Sequence, residues 1–388
     1  AVADFFFESF KFKFINEIFG MEKGNQVLIK QAKLMASNPS ERTICARLMN
    51  DRFALCLPRE EFDEKRVADS IKELQREFSG NSFHLHTYMG VYEIRDRDEA
   101  VSIMVDKANI AADTIKNNYD CCVAYYDEHL LEISIEQRRL LGEFEPALQN
   151  DEFVMYLQPQ VKRDGAAKGA EALVRWVHPS RGILTPYAFI DILENAGLIY
   201  KLDLYIWEKA AQKLAEWKEK GYGSYHISVN ISTKDFYIID IYETFTGLIN
   251  KYGIAASNLH LEITETTLMT DFEKNMNIIH KLQGVGFRVE IDDFGSGYSS
   301  LNMLKDISAD VLKIDMGFLR KSENEVKGQD ILESIITLAG KIGMDVITEG
   351  VETKKQLDML TMMGCHEFQG YYFSKPVPVS EFEEKYLV

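Results

Sequence analysis

No run of about 18 apolar residues occurs anywhere in the chain, so no segment reads as a membrane-spanning helix. The Phe-rich start is broken by Glu8, Lys11 and Lys13 and does not have the form of a signal peptide. Cysteine is scarce. Cys45, Cys56, Cys121, Cys122 and Cys365 are odd in number and form no CxxC pair. That argues against a disulfide framework or a zinc ribbon and points to a reducing, cytoplasmic setting. Positive charge is also short. The net charge of -17 argues against a non-specific binder of nucleic-acid polymers, whose surface must be basic. A small anionic ligand stays open, because metal ions or a few cations neutralise phosphates locally.

No low-complexity tract or Pro/Gly-rich linker divides the 388 residues. The length predicts two domains, one of which can be a barrel of roughly 250 residues. Apolar residues at 46% suffice for large cores, and charged residues at 27% read as globular. Residues 1–128 mix amphipathic helices, at 65–78 and 100–118, with an alternating strand at 84–94. Residues 127–150 have helical spacing apart from Pro146, and 129–150 is read as a helical junction that couples the domains stiffly. From 151 to 388 short apolar strands alternate with helices. Strands are predicted at 153–159, 169–176, 226–232, 259–264, 286–294, 311–316, 345–351 and 367–373, and helices at 201–219, 272–284, 326–342 and 353–363. The pattern predicts an α/β fold, a TIM-like (β/α)8 barrel, preceded by a smaller α+β domain.

Chemistry stands at the ends of these strands: Glu171, Asn230, Glu262, Asp292 with Asp293, Lys313, Glu349 and Gln369. In a barrel the C-terminal strand ends share one mouth, so five carboxylates would face one cavity with an amide and a lysine nearby. A single acidic residue after a strand is ordinarily a helix cap or a solvated loop residue. Repetition on nearly every strand is not. Crowded carboxylates stay ionised only with cations between them, and oxygen donors suit Mg²⁺ or Mn²⁺ better than zinc. Two such ions are a known solution for phosphodiester cleavage. Lys313, flanked by buried strand residues, requires a partner.

The stretch EALVRW (171–176) resembles the signature of EAL-domain cyclic-di-GMP phosphodiesterases. YLQPQV (156–161), HPSRGILTPYAFIDILENAGLI (178–199), SVNIS, LEITET, DDFGSGYSSL, LKID, TEGVET and QGYYFSKP follow in that family's order, from about residue 138 to 388. The resemblance implies a two-metal Mg²⁺ or Mn²⁺ site. Glu171, Asn230, Glu262 and Asp292 would hold one ion, and Asp292, Asp293 and Glu349 the other. Lys313 would orient the attacking water, with Glu349 assisting its deprotonation. Gln158, Arg175 and Gln369 would contact the substrate side, Arg175 through a phosphate. Glu265 would anchor the loop carrying Asp292 and Asp293, and Glu352 would support the site. Ser296 stands where threonine is usual and keeps the hydroxyl. No ligand position is missing. The implied reaction is hydrolysis of cyclic-di-GMP to linear pGpG, and the implied assembly is a homodimer through this domain.

Residues 1–128 resemble a GGDEF domain, the diguanylate cyclase fold, in degraded form. FKFKFINEIFG (10–20), RLMNDRFALCLP (47–58) and DKANIAADTIKNN (106–118) carry the likeness. Met49 and Asn50 replace glycines that let the backbone approach a nucleotide. Arg52 and Phe6 stand where metal-binding carboxylates are expected. Ser40 and Thr43 hold the positions of the inhibitory RxxD motif. The usual beginning of the domain is expected to lie before Ala1. Cyclase activity is not expected; a structural, dimerising or regulatory role remains. For the whole chain, two alternatives to the hydrolase stand: a catalytically silent cyclic-di-GMP receptor and a protein-interaction scaffold.

Overall fold

A computed structural model describes residues 2–10, 20–35, 40–48, 51–78, 85–116, 118, 121–294, 307–315 and 325–387. The chain falls into two compact units, Ala1–Arg139 and Leu140–Val388.

In the first unit β1 (Val2–Phe10), β2 (Ile44–Arg47), β3 (Phe53–Pro58), β4 (His86–Ile94) and β5 (Val123–Tyr125) form one sheet, ordered β2-β3-β1-β4-β5. Only β4 and β5 pair in parallel. Alternation along β4 builds two cores. Met89 and Val91 cluster with Val27 and Leu28 of the helix Met21–Met35 and with Ile71 and Leu74 of the helix Glu64–Phe78. Tyr88, Tyr92 and Ile94 cluster with Met104, Ala108 and Ala112 of the helix Val101–Thr114. That helix is shorter than its spacing suggests. Met49 and Asn50 lie outside the described residues; Asp51 and Arg52 stand on the hairpin between β2 and β3, where Leu48 N–H donates to Arg52 O at 2.9 Å.

The second unit is a barrel. Its strands are β6 (Phe153–Lys162), β7 (Ala167–His178), β8 (Gly182–Leu184), β9 (His226–Ile231), β10 (Leu259–Thr264), β11 (Val289–Asp292), β12 (Val311–Asp315), β13 (Asp345–Glu349), β14 (Glu367–Phe368) and β15 (Val377–Pro378). The order β15-β6-β14-β13-β12-β11-β10-β9-β7-β8, with β6 also paired to β7, closes eight strands into a ring. β7 and β9 to β14 run parallel, as in a TIM-like barrel, but β6 is antiparallel to both its neighbours. The cause is local. Only residues 163–166 separate β6 from β7, and a parallel crossover needs about a dozen residues. The two strands are therefore a hairpin, turned where Gly165 N–H donates to Lys162 O.

Alternation decides what the barrel wall faces. Ile227, Val229, Leu261, Ile263, Val289, Ile291, Leu312 and Ile314 belong to one large core with the apolar stripes of helices such as Ile199–Glu219 and Phe272–Val285. Trp176, Phe153, Phe189 and Phe144 pack there edge-on and tilted, with Phe153 and Trp176 centroids 4.8 Å apart. Fully burying side chains of this size contributes about 1.5–3 kcal/mol each. The intervening residues are polar: His226, Ser228 and Asn230 on β9, His260 and Glu262 on β10, Glu290 and Asp292 on β11, Lys313 on β12. Regular barrels fill that interior with Val, Ile and Leu. No described helix is long and apolar enough to cross a membrane.

The last predicted strand is cut short. After Phe368 the chain turns, and Phe373 N–H and Ser374 N–H both donate to Gly370 O at 3.1 Å. A Cβ on Gly370 would lie 2.2 Å from Val351 O, so only glycine fits against that backbone. Gly370→Ala is expected to lower stability by about 2–4 kcal/mol, as a forced backbone shift does. Denaturant unfolding of the full chain measures this.

Candidate active site

Lys313 is the centre of the site. It stands mid-strand on β12 and is 1% exposed. Its Nζ donates to Glu262 Oε2 at 2.7 Å and lies 2.8 Å from Glu349 Oε1, 3.4 Å from Asp292 Oδ1 and 3.5 Å from Glu171 Oε2. Four carboxylates from four strands thus surround one ammonium. Two like charges about 4 Å apart cost about 4 kcal/mol at an effective dielectric near 20, so one cation does not balance the ring.

The proton affinities record that imbalance. Burial works against the Lys313 charge, but Asp292, Glu171, Glu262 and Glu349 outweigh it and hold the ammonium well above its usual range. Burial and then Glu171 push the Glu262 carboxyl well up, against the pull of Lys313. Burial, with Asp292 and Glu171 beyond the opposing Lys313, pushes Glu349 up to about 8. Glu262 Oε1 and Gln369 Oε1 are buried without a hydrogen-bond partner. Oxygen donors left over in this way could hold hard divalent cations.

The amides complete the ring. Asn230 Nδ2 donates to Glu171 Oε1 at 3.1 Å, Gln369 Nε2 to Glu171 Oε2 at 2.5 Å and to Gln158 Oε1 at 3.3 Å. Gln158 is opposite Glu171 in the β6–β7 register, so the reversed strand delivers its side chain to the same place. Arg175 is half-buried on the same face of β7, two pleats beyond Glu171. Its guanidinium lies over the Tyr156 ring at 5.4 Å, its Nη1 donates to Val174 O, and burial lowers its proton affinity.

The expectation that every site residue closes a strand needs correction. Asp292 and Glu349 do end β11 and β13, but Glu171 and Lys313 are mid-strand. β7 continues past the mouth, where Trp176 to His178 pair with β8, and Lys313 stands one pleat short of the end of β12, opposite Ile347. Asp293 is exposed and adopts left-handed backbone, φ 55°, which terminates β11 earlier than its sequence suggests. Although the residue as a whole is exposed, partial desolvation of its carboxyl, then Asp292 and Asp315, push its proton affinity up. Glu265 is buried at the head of the helix Glu265–Thr270, directly after Thr264, which pairs with Asp292. Glu352 is exposed on the turn after Glu349, beside the Thr353 cap of the next helix. Gly295, Ser296 and Gly297 lie outside the described residues.

Two features escaped the sequence reading. Asp315 ends β12 opposite Glu349; its place two residues beyond Lys313 in VLKID was the available signal. Half-buried Asp203 and fully buried Asp235 form a hydrogen-bonded pair with Glu194 nearby. Burial and then the Asp235 charge raise Asp203 well up, and burial raises Asp235 to about 6. Their separation along the chain hid them.

A sequence profile of the EAL domain matches residues 142–376, and one of the diguanylate cyclase GGDEF domain matches residues 4–120. The bifunctional diguanylate cyclase/cyclic di-GMP phosphodiesterase MucR of Pseudomonas aeruginosa is 30% identical over 95% of this chain and 55% of its own length. The cyclic di-GMP phosphodiesterase PdeR of Escherichia coli is 33% identical over 62% of this chain and 36% of its own. The chain thus spans about half the length, or less, of these curated relatives. A solved structure of the PaMucR phosphodiesterase, a c-di-GMP complex, superposes with a TM-score of 0.60 at 33% identity, covering 63% of this chain and 99% of that one.

Two outcomes test this electrostatic picture. In metal-free protein Lys313→Met should cost about 3–5 kcal/mol by leaving buried charges uncompensated, whereas Glu349→Gln should stabilise; chemical denaturation reads both. For Asp235 the folded value of about 6 exceeds the unfolded value near 3.8. Its contribution is therefore full below about pH 4 and lost as pH rises through 6. Asp235→Asn, which removes the titrating carboxyl, should flatten that fall in melting temperature between pH 5 and 7.

By sequence profile and by the course of its barrel, the chain belongs to the EAL domain family, with a GGDEF domain ahead of the EAL domain.

Proposed function

We propose that the EAL domain is a metal-dependent phosphodiesterase that hydrolyses cyclic-di-GMP to linear pGpG. The observation that carries this is the ring itself: four carboxylates, buried at Glu171 and Glu262 and half-buried at Asp292 and Glu349, face one lysine. Glu171, Asn230, Glu262 and Asp292 would hold one Mg²⁺ or Mn²⁺, and Asp292, Asp293 and Glu349 the other. When bound, the ions supply positive charge to the phosphate oxygens and acidify water.

The chain's own residues do the rest. Lys313 keeps the carboxylates at fixed spacing and donates to the incoming water. Glu349, whose Oε1 lies 2.8 Å from Lys313 Nζ, would assist that water's deprotonation. The water oxygen bonds to phosphorus as one P–O3′ bond breaks, and the leaving oxygen takes a proton. Arg175 stands up the wall where a phosphate of a two-phosphate ligand would reach, and Tyr156 holds its guanidinium flat. Gln369, which donates to both Gln158 and Glu171, fixes the floor on the substrate side together with Gln158.

The GGDEF unit is read as degenerate and as structural or regulatory. Arg52 and Phe6 replace carboxylates, and Phe6 lies inside β1, paired with Ala54 and Gly90. A homodimer through the EAL domain belongs to the same reading; a monomer by light scattering at working concentration removes it. A silent cyclic-di-GMP receptor is the outcome if binding occurs without turnover.

Chromatography of cyclic-di-GMP incubated with the full chain and Mn²⁺ tests the reading. Linear pGpG should form, EDTA should stop it, and Glu171→Gln should slow it at least roughly 100-fold, the scale of losing one preorganised charge at a reaction centre. Turnover unaffected by Glu171→Gln would sink the assignment.

A further inference from the structure

The polar lining of the barrel does not end at the ring. At the opposite, strand-start end, His226 opens β9, His260 stands near the start of β10 and Glu290 near the start of β11. All three are buried, Glu290 completely. One donor atom from each lies within 4.8 Å of the others. The imidazoles of His226 and His260 stack at 3.8 Å.

The bonds already present leave lone pairs unused. His226 Nε2 lies 2.7 Å from Gln160 Oε1, which only accepts, so that nitrogen carries the proton and Nδ1 is an acceptor. His260 Nδ1 lies 2.6 Å from Glu290 Oε1, and the same reasoning frees His260 Nε2. Ser228 Oγ reaches both Gln160 Oε1 and Glu290 Oε1, at 3.4 and 3.2 Å. Glu290 Oε2 and Gln160 Nε2, both buried, have no hydrogen-bond partner. A stranded carboxylate oxygen of this kind is costly unless something occupies the place beside it.

We propose that His226, His260 and Glu290 form a second metal site, for a zinc-class divalent ion, separate from the carboxylate ring. Two imidazoles and one carboxylate are a zinc donor set, unlike the oxygen-rich ring. Donors of a tetrahedral ion with bonds of about 2.0–2.1 Å lie roughly 3.3 Å apart, so on binding the side chains close in by up to about 1.5 Å and the nearly parallel rings tilt so that their in-plane lone pairs converge. Gln160 and Ser228 orient the ligands from behind. A pocket of about 490 Å³, lined by the three residues together with Lys168, Arg288 and Glu367, provides entry. Lys168 is paired with Glu367, and Arg288 with Asp345, so neither cation repels the ion unopposed. Gly169 leaves room for the His226 ring, since a Cβ there would meet it at 2.4 Å. Each ligand shares a strand with a ring residue: Asn230, Glu262 and Asp292 respectively.

Zinc content tests this apart from the ring. The EDTA-stripped full chain carrying Glu171→Gln and Glu262→Gln is loaded with Zn²⁺, dialysed and analysed for metal. About one zinc per chain should remain, and adding His260→Gln or Glu290→Gln should remove it. Equal zinc with and without those additions overturns the proposal. Anomalous scattering at the zinc edge from zinc-soaked crystals of the unaltered chain needs no variant. Density within bonding distance of His226, His260 and Glu290 supports the site, and its absence there overturns it.

Discussion

The contact between Lys313 and its four carboxylates governs this barrel. An ammonium buried to 1% exposure requires compensating anions, yet four of them overcompensate it. The surplus is negative charge in a place that water reaches only at Asp292 and Glu349, which are half-buried. Attraction holds the strand positions; surplus makes them receptive to cations. Replacing the ring with well-packed apolar residues would probe stability alone, since buried ion pairs are often neutral or costly against such replacements. The ring is thus a poor device for stability and a good one for binding divalent ions with a phosphate.

The fold accommodates this by reversing the usual division between barrel wall and interior. Apolar residues on β9 to β12 face the helices, so the hydrophobic core lies around the barrel. The interior is polar along the height of β9 to β11, from His226 to Asn230 and from Glu290 to Asp292, while on β12 Val311 lies below Lys313. β6 fits the same scheme although it runs backwards, because side-chain alternation is indifferent to strand direction. Gln158 and Gln160 therefore point where a parallel strand's residues would.

Much of this was legible in the sequence. The alternation in HISVNI, LHLEIT and VEID is unbroken, and hydrophobic period 2 fixes both strand and face. The positions of Glu171, Asn230, Glu262, Asp292, Lys313, Glu349 and Gln369 in one ring followed from motif order together with barrel closure. What escaped depends on three-dimensional detail. Residues 163–166 are too few for a crossover, which reverses β6, a length argument available but not used. Gly370 ends β14 through a backbone contact with Val351 that only the fold creates. Stagger, which a linear reading lacks, places mid-strand Glu171 beside strand-end Asp292. Asp203 and Asp235 lie 32 residues apart, on the helix Ile199–Glu219 and at the head of the short helix Asp235–Ile238, and nothing in either segment marks the pair.

Melting temperature against Mn²⁺ concentration, for EDTA-stripped full chain, tests the surplus-charge account most directly. The account predicts that the unaltered chain starts low and rises with Mn²⁺, since binding to the folded state alone stabilises by about 2.7 kcal/mol at a hundredfold excess over Kd. The Glu171→Gln, Glu262→Gln chain should start higher and respond little. A melting temperature of the unaltered chain that is indifferent to Mn²⁺, or a double variant that responds equally, would contradict it.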